Sequence, residues 1–191
     1  MNGVGSRRAV SVALRGVGKP DAGLVRIAVA AHYVIARAEP GQLGYVKLNT
    51  ILWYTDLEHY RRAGRSLTGL TEYTRTPQGP YAADIPRAVG VLARAGKVRE
   101  QSIKISDYAR RAMVSLREPA GIDTLQAGIL DRVMDVIVPF NAAQLLAFTR
   151  ADPLWQEVAS GGRMIVSTGS IITKFPAAPG REAPRFLIAA E

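Results

Sequence analysis

The sequence contains no cysteine and only two histidines, His32 and His59. Without cysteine the chain can form no disulfide and no thiolate metal site, and it has no cysteine nucleophile. A metal site would then depend on carboxylates, and no second helix offers a matching histidine or a pair of aspartates. The sequence therefore predicts neither a metal nor another cofactor.

Long hydrophobic runs are also missing. Residues 28–38 form one of the longest apolar stretches, but they include His32 and Arg37, whereas a membrane-spanning helix needs roughly 20 apolar residues. The apolar stretch after Arg7 and Arg8 is closed by Arg15 and is too short for a signal peptide. We therefore expect no membrane span and a cytoplasmic protein.

Positive charge is abundant: 25 basic against 16 acidic residues give the 191-residue chain a formal net charge of +9. Such a balance favours an anionic partner, which is a nucleic acid, an acidic protein or an anionic membrane surface, or it serves only solubility. The length and the hydrophobic content of 48% suit one domain. We predict a flexible leader at residues 1–20, a domain at 21–173 and a proline-containing tail at 174–191.

The first predicted helix starts at Asp21, whose side chain can cap free backbone amides, and ends before Pro40. His32 lies off its apolar stripe and is predicted to be an ordinary, partly exposed histidine. The stripe follows the three- and four-residue spacing of an amphipathic helix and consists of Leu24, Ile27, Ala28, Ala31, Val34, Ile35 and Ala38.

A second helix, after residue 44, is apolar on two faces, which is typical of a helix buried at the centre of a domain. Arg61 and Arg62 fall in its last turn, and Gly64 can adopt the left-handed conformation that stops it near Ala63. One face carries Leu48, Ile51, Leu52, Thr55 and His59, and the other carries Val46, Trp53, Leu57 and Tyr60.

Further helices are predicted from Asp84, Asp123 and Asn141, residues that can cap a helix start. An extended segment is expected at residues 71–75, a sharp turn at 76–80, a short helix at 107–116, and a hairpin of 163–166 with 170–173. Residues 98–105 are ambiguous: their last part alternates as a half-buried strand does, and a small hairpin there is one interpretation. The predicted fold is mostly α: a single helical domain built around a central buried helix, with small β-hairpin elements.

Residues 47–80 carry several motifs in register. Residues 47–59 read K-L-N-T-I-L-W-Y-T-D-L-E-H, residues 64–69 read G-R-S-L-T-G, and residues 78–80 read Q-G-P. This order resembles the Panacea domain, the SocA-like antitoxin family, which has a K-L-N-x-I-L-x-Y-x-D-x-E-H helix, a G-R-x-L-T-G link, a strand and a G-P turn. The matching residues, which we expect to be structural, are Lys47, Leu48, Asn49, Leu52, Tyr54, Asp56, His59, Gly79 and Pro80.

In the later part of the chain, fewer residues match the family. Trp155 and the glycine turn at Gly161 match the family, and Trp155 is also expected to be structural, but Thr149 and Arg150 replace the family's serine-histidine pair. The resemblance implies a mostly helical domain with small β elements. It also implies an antitoxin that neutralises a toxin encoded beside it, commonly by direct binding; a variant within the family acts as an adaptor that presents the toxin to a protease.

The strongest candidate for chemistry is the Asp56-x-Glu58-His59 cluster, because residues three apart on a helix can touch and a carboxylate can orient an imidazole. The alternative is that Asn49, Asp56 and His59 make hydrogen bonds within the core, since buried polar groups need partners. We favour the structural role and predict that the protein is not an enzyme; a hydrolase using Asp56 and His59 is the least favoured function.

Arginine with an aromatic residue is a frequent composition of protein interfaces. If the turn at residues 78–80 folds the neighbouring segments back on one another, their basic residues form one basic surface, with Tyr81 near its centre and Arg87, Arg94, Lys97 and Arg99 nearby. The alternative is that the basic residues are separate charges, each surrounded by water. A nucleic-acid-binding regulator, with a wing-like hairpin at 96–105, is the alternative function. The predicted partner-binding residues are Arg61, Arg62, Arg65, Arg75 and Tyr81.

Overall fold

The computed structural model of the protein describes residues 21–105 and 108–167. The predicted leader and the whole predicted tail therefore lie outside the described residues. The described elements, in chain order, are α1 (Ala22–Arg37), α2 (Tyr45–Ala63), β1 (Glu72–Thr76), β2 (Gly79–Tyr81), α3 (Asp84–Arg94), β3 (Val98–Ile105), β4 (Tyr108–Ser115), α4 (Thr124–Ile137), α5 (Ala142–Arg150), α6 (Pro153–Glu157) and β5 (Arg163–Ile165).

Helix α2 is buried along most of its length: every residue from Lys47 to His59 is buried. The helix ends at Ala63, and Gly64 follows with φ 65°, so the predicted glycine stop is confirmed. The amide of Gly64 donates to the carbonyl of Tyr60 at 2.8 Å, which satisfies one of the free carbonyls at the helix end. Other elements therefore surround α2 on several sides.

The first sheet has three strands in the order β2-β1-β5, and both pairings are antiparallel. Thr74 pairs with Tyr81 across the hairpin turn, and Tyr73 pairs with Met164 on the other side. Tyr73 and Met164 are buried, and the Tyr73 ring meets the ring of Trp53 on α2 edge to face, with centroids 5.1 Å apart. This sheet packs against α2.

The second sheet is an antiparallel ribbon of β3 and β4, paired from Val98 with Ser115 to Ile105 with Tyr108. The predicted short helix at residues 107–116 is therefore wrong, because this segment forms β4. A short isolated helix is marginal in water, whereas the equally long β3 offers a hydrogen-bonding partner along the whole segment. Ala112 and Met113 are buried where the ribbon joins the domain.

The prediction of a mostly α fold built around a central helix is also wrong. The fold mixes helices with two antiparallel sheets. The reason is that β1 finds partners on both sides, and one of them, β5, comes from a distant part of the chain. A strand is present at Arg163–Ile165 as predicted, but it pairs with β1, while residues 170–173 lie outside the described part of the chain.

The remaining helices pack around α2 and α1. Asp21 caps α1 by accepting from the amide of Gly23 at 3.1 Å, and reciprocal capping boxes start α4 at Asp123 and α5 at Asn141, as predicted. Helix α3 differs slightly from the prediction, since its N-cap is Ala83 and Asp84 lies in the first turn. Among the described helices, none is both long and apolar enough to cross a membrane.

Candidate functional site

The polar residues of the α2 motif all lie in the buried stretch, where each needs a hydrogen-bond partner. Asp56 has the largest set of partners. One carboxylate oxygen accepts from the amide of Thr68 at 2.8 Å, and the other accepts from the Thr68 hydroxyl at 2.5 Å and the Tyr73 hydroxyl at 2.8 Å. Asp56 therefore fastens both the 64–69 link and β1 to the helix.

Asn49 and Lys47 fasten two further segments to the first half of α2. The side-chain oxygen of Asn49 accepts from the amide of Ala82, just after β2, at 2.9 Å. The ammonium group of Lys47 donates to the carbonyl of Val138, at the end of α4, at 2.6 Å. The start of α2 meets the end of α4, while Arg132, earlier in α4, lies within electrostatic range of the end of α2, so the two helices run antiparallel.

Tyr54 connects α2 to the start of α6. Its hydroxyl donates to the carboxylate of Asp152 at 2.9 Å, and its ring meets the ring of Phe148 edge to face with centroids 5.1 Å apart. Asp152 also caps α6 by accepting from the amide of Leu154 at 2.9 Å. Trp155 is buried in the same short helix.

His59 and Asp56 use different partners. His59 Nδ1 lies 2.7 Å from the carbonyl oxygen of Arg65, to which a protonated Nδ1 would donate. Within the described residues, no hydrogen bond joins Asp56 to His59. The two side chains hold neighbouring parts of the same link, through Thr68 and Arg65.

Burial shifts the acidity of the two core aspartates in the same direction. It raises the pKa of Asp56 to about 6, although the hydrogen bonds from Thr68 and Tyr73 favour the charged form and limit the rise. Burial likewise raises the pKa of Asp152, against the opposing effect of the bond from Tyr54. Each ionised carboxylate is therefore held in the core at a cost that its donors offset only in part.

The remaining motif residues have no polar side chain. Leu48 and Leu52 are completely buried. Gly79 has φ 140°, and a Cβ at this position would lie 3.4 Å from the hydroxyl of Thr50, so β2 approaches α2 closely here. Pro80 follows in β2 and is buried.

Among the predicted partner-binding residues, Arg61 and Arg62 share one carboxylate. Each places a guanidinium nitrogen 2.5 Å from a different oxygen of Glu58, whose side chain is 8% exposed. The side chains of Arg61 and Arg62 are 20% and 36% exposed. Their cations are thus held in position at the end of α2 while part of each faces water.

Arg75 is engaged inside the protein. Its guanidinium lies over the ring of Trp155, 4.8 Å from the centroid, and donates to the carbonyl of Val158. Its backbone also exchanges hydrogen bonds with the glycine turn, from its amide to Gly162 and from the amide of Gly161 to its carbonyl, both at 2.9 Å. Arg75 therefore fastens the segment after α6 to β1.

Arg65 and Tyr81 are exposed, but the predicted set does not form one cluster. Tyr81 directly precedes Ala82, which is bonded to Asn49 near the start of α2. Arg61 lies twelve residues further along the helix, which at 1.5 Å per residue is roughly 18 Å away. The structure brings Arg61 close to Arg62 and separates both from Tyr81.

His32 differs from its prediction as a partly exposed residue, because it is only 3% exposed. Its Nε2 lies 3.0 Å from both the Ser115 hydroxyl and the Arg117 carbonyl. Burial and the nearby charge of Lys97 lower the pKa of His32. Ser115, at the end of β4, and Arg117, just after it, cover this side of α1. The periodicity of α1 alone could not predict that His32 is buried.

Sequence reasoning also missed Arg132 and Asp152. Burial, together with the nearby charges of Arg62 and Arg61, lowers the pKa of Arg132 on α4, while Glu58 opposes the change. No local sequence motif predicts that Arg132 lies near Arg61 and Arg62, because this depends on the packing of α4 on α2. Asp152, in contrast, directly precedes Pro153, and that pair is a signal for a helix start.

Within residues 21–105 and 108–167, no group of three or more histidine, aspartate or glutamate side chains could hold a metal ion. No family model, curated protein or solved structure matches the chain.

Proposed function

We propose that this chain is a cytoplasmic antitoxin of the Panacea type that neutralises a cognate toxin by binding it directly. The observation that supports this most is the fit between motif and structure. The residues that carry the resemblance, from Lys47 to His59, coincide with the buried stretch of α2. Such a coincidence is expected when a motif specifies a shared scaffold.

The polar contacts give the scaffold interpretation its detail. Lys47, Asn49, Tyr54 and Asp56 each connect α2 to a different later segment of the chain. A substitution at any of them would leave a buried partner without its bond, and an unsatisfied buried group costs roughly 1–3 kcal/mol. These residues therefore support the shape on which a binding surface is displayed.

The arrangement also favours binding over catalysis. Asp56 accepts three hydrogen bonds from the core, and His59 is engaged by the Arg65 carbonyl. In a hydrolase, Asp56 would be expected to orient His59 towards a substrate. Folded Asp56→Asn and His59→Gln variants should still protect cells from the toxin; loss of protection by a variant that folds and binds the toxin would favour the hydrolase.

The direct test is co-expression with the product of the adjacent gene, followed by co-purification at raised salt. We expect the two proteins to purify together and growth to be restored. Toxin that remains at full level but inactive indicates direct inhibition, whereas toxin that disappears only when the chain and a cellular protease are both present indicates the adaptor mechanism. Unrestored growth with no complex would contradict the antitoxin proposal.

A nucleic-acid-binding regulator is the second candidate, and the β3–β4 ribbon favours it. The ribbon follows α3 closely, as a wing follows a helix, and a two-stranded ribbon fits the major groove of DNA. Its strands carry Arg99, Lys104, Arg110 and Arg111. A shift assay with DNA and RNA, repeated over a series of salt concentrations, tests this function, because phosphate binding weakens steeply with salt.

A further inference from the structure

Two arginines bind one carboxylate at the end of α2, and a third arginine, on the packed helix α4, lies within electrostatic range of them. Glu58 holds Arg61 and Arg62 through its two oxygens, each at 2.5 Å. Arg132 of α4 lies within electrostatic range of the same three residues. These four residues carry three positive charges and one negative charge, so as a group they keep an excess of positive charge.

The two cations on α2 are held in fixed positions. Both oxygens of Glu58 are used, and the 8% exposure of this side chain shields the ion pairs from water. Arg132 is exposed and makes no ion pair within the described part of the chain. An anionic group that approaches Arg132 would therefore meet an exposed cation that forms no salt bridge in the described part of the chain, with two ordered guanidiniums beside it.

An open apolar strip lies beside these cations on α4. Leu125, Gly128 and Arg132 follow one another at helical spacing, so they share one face of the helix. A Cβ built at Gly128 would meet no atom within 4 Å, and Leu125 is 49% exposed. Since α2 and α4 run antiparallel, this first half of α4 lies beside the end of α2 that carries Arg61 and Arg62.

We propose that Arg61, Arg62, Arg132, Gly128 and Leu125, here named the arginine surface, bind an acidic amphipathic segment of a partner protein. Carboxylates of the partner would face the three arginines, and an apolar side chain would lie over Gly128 against Leu125. A protein segment suits this surface better than a phosphate backbone, because an exposed leucine beside open space offers contact area that phosphates do not use. The identity of the partner as the toxin rests on the proposed antitoxin function.

Fluorescence anisotropy with two labelled peptides tests the surface directly. One peptide is an amphipathic helix of glutamate and leucine, and the other has the same glutamates with serine in place of leucine. Arg62→Glu and Arg132→Glu should each weaken binding of the first peptide on the order of tenfold. Arg94→Glu is the matched control: Arg94 is exposed on α3, so this substitution makes the same change of charge at a different place on the surface. Equal weakening by all three variants, or equal binding of both peptides, would overturn the proposal.

A second variant separates binding from folding. Gly128→Gln removes a glycine from the interior of α4, so the melting temperature should rise or stay unchanged. The longer side chain would fill the open space, so the amphipathic peptide should bind at least several-fold more weakly. A variant that folds well and binds like the wild type would show that the peptide does not lie over Gly128.

The toxin itself distinguishes failure of the surface from failure of the function. If the wild type co-purifies with the adjacent gene product and Arg132→Glu does so equally well at raised salt, the surface is wrong and the antitoxin function stands. If the wild type captures no toxin, the function is wrong, while the peptide measurements still decide the surface. A short DNA duplex that binds more tightly than either peptide, and loses affinity in the same arginine variants, would show a phosphate-binding surface instead.

Discussion

The buried stretch of α2 and its last turn use charged side chains in opposite ways. Between Lys47 and Asp56, ionisable groups are directed inward and bonded to other segments. In the last turn, Arg61 and Arg62 share Glu58 and remain partly in water. A single helix thus combines polar residues that fix the fold with polar residues that stay partly exposed to water. This division can be tested by comparing substitutions in the two parts.

The largest expected effect is at Trp53, which is completely buried and packs edge to face on Tyr73. Trp53→Ala should lower the free energy of unfolding by about 3–5 kcal/mol, because removing a large core side chain leaves a cavity. Val46→Ala is the control on the same helix, since Val46 is 44% exposed. Chemical denaturation measures both, and equal small losses would show that Trp53 does not support the core.

The next effect concerns pH and Asp56. The pKa of its carboxyl rises from 3.8 to about 6 on folding, so the folded state binds the proton more tightly than the unfolded state. This group therefore contributes most to stability below about pH 4, and its contribution falls by about 3 kcal/mol as pH rises to about 6, beyond which it changes little.

Unfolding of the wild type and of Asp56→Asn across this pH range isolates the effect. The wild type should lose stability relative to the variant as pH rises. Asp135→Asn, at an exposed position of α4, is the control and should follow the wild-type curve. Parallel curves for the wild type and Asp56→Asn would contradict the buried, proton-binding state of Asp56.

A smaller effect is expected at Tyr54. Tyr54→Phe keeps the ring against Phe148 but removes the donor to the buried Asp152, which should cost about 1–3 kcal/mol. Tyr33→Phe makes the same chemical change where the acceptor, Asp131, is only half-buried, and should cost less. Thermal denaturation of both variants tests whether burial sets the strength of these bonds.

The smallest effect is expected at Arg75. Arg75→Ala removes its contact with the Trp155 ring and the bond to Val158, and should lower stability by about 1 kcal/mol. Arg163→Ala is the control, because this exposed arginine forms only a loose pair with Glu72 at 3.4 Å, which contributes little. If Arg75→Ala weakens toxin binding without any loss of stability, Arg75 belongs to the binding surface instead.

Features set by local chemistry could be predicted from the sequence. The end of α2 depends on Gly64, and the starts of α4 and α5 depend on the caps at Asp123 and Asn141. Residues 108–115 could not be assigned in this way, since their pattern suits either a helix or a strand and the pairing with β3 decides. Local pattern is sufficient where the stabilising partner lies within one turn.

In the candidate site too, residues whose role follows from local pattern could be predicted, and residues whose role depends on distant packing could not. Asp56 and His59 could be predicted as core residues because a polar side chain on an apolar helix face must find a partner. The proximity of Arg132 to Arg61 could not, because it arises only when α4 packs on α2. Arg75 was predicted to bind a partner for the same reason: the sequence does not show that its guanidinium packs on Trp155, which belongs to a distant segment.

The pairing of β5 with β1 has a consequence for how the protein is made. Met164 of β5 lies 91 residues after Tyr73, the β1 residue with which it pairs. As the chain leaves the ribosome, one hydrogen-bonding edge of β1 therefore stays unpaired until β5 has emerged. An unpaired strand edge can form hydrogen bonds with other chains. Nascent chains that end before Arg163 should accordingly aggregate or be degraded, and synthesis rate or chaperone access over this interval should govern the yield of folded protein.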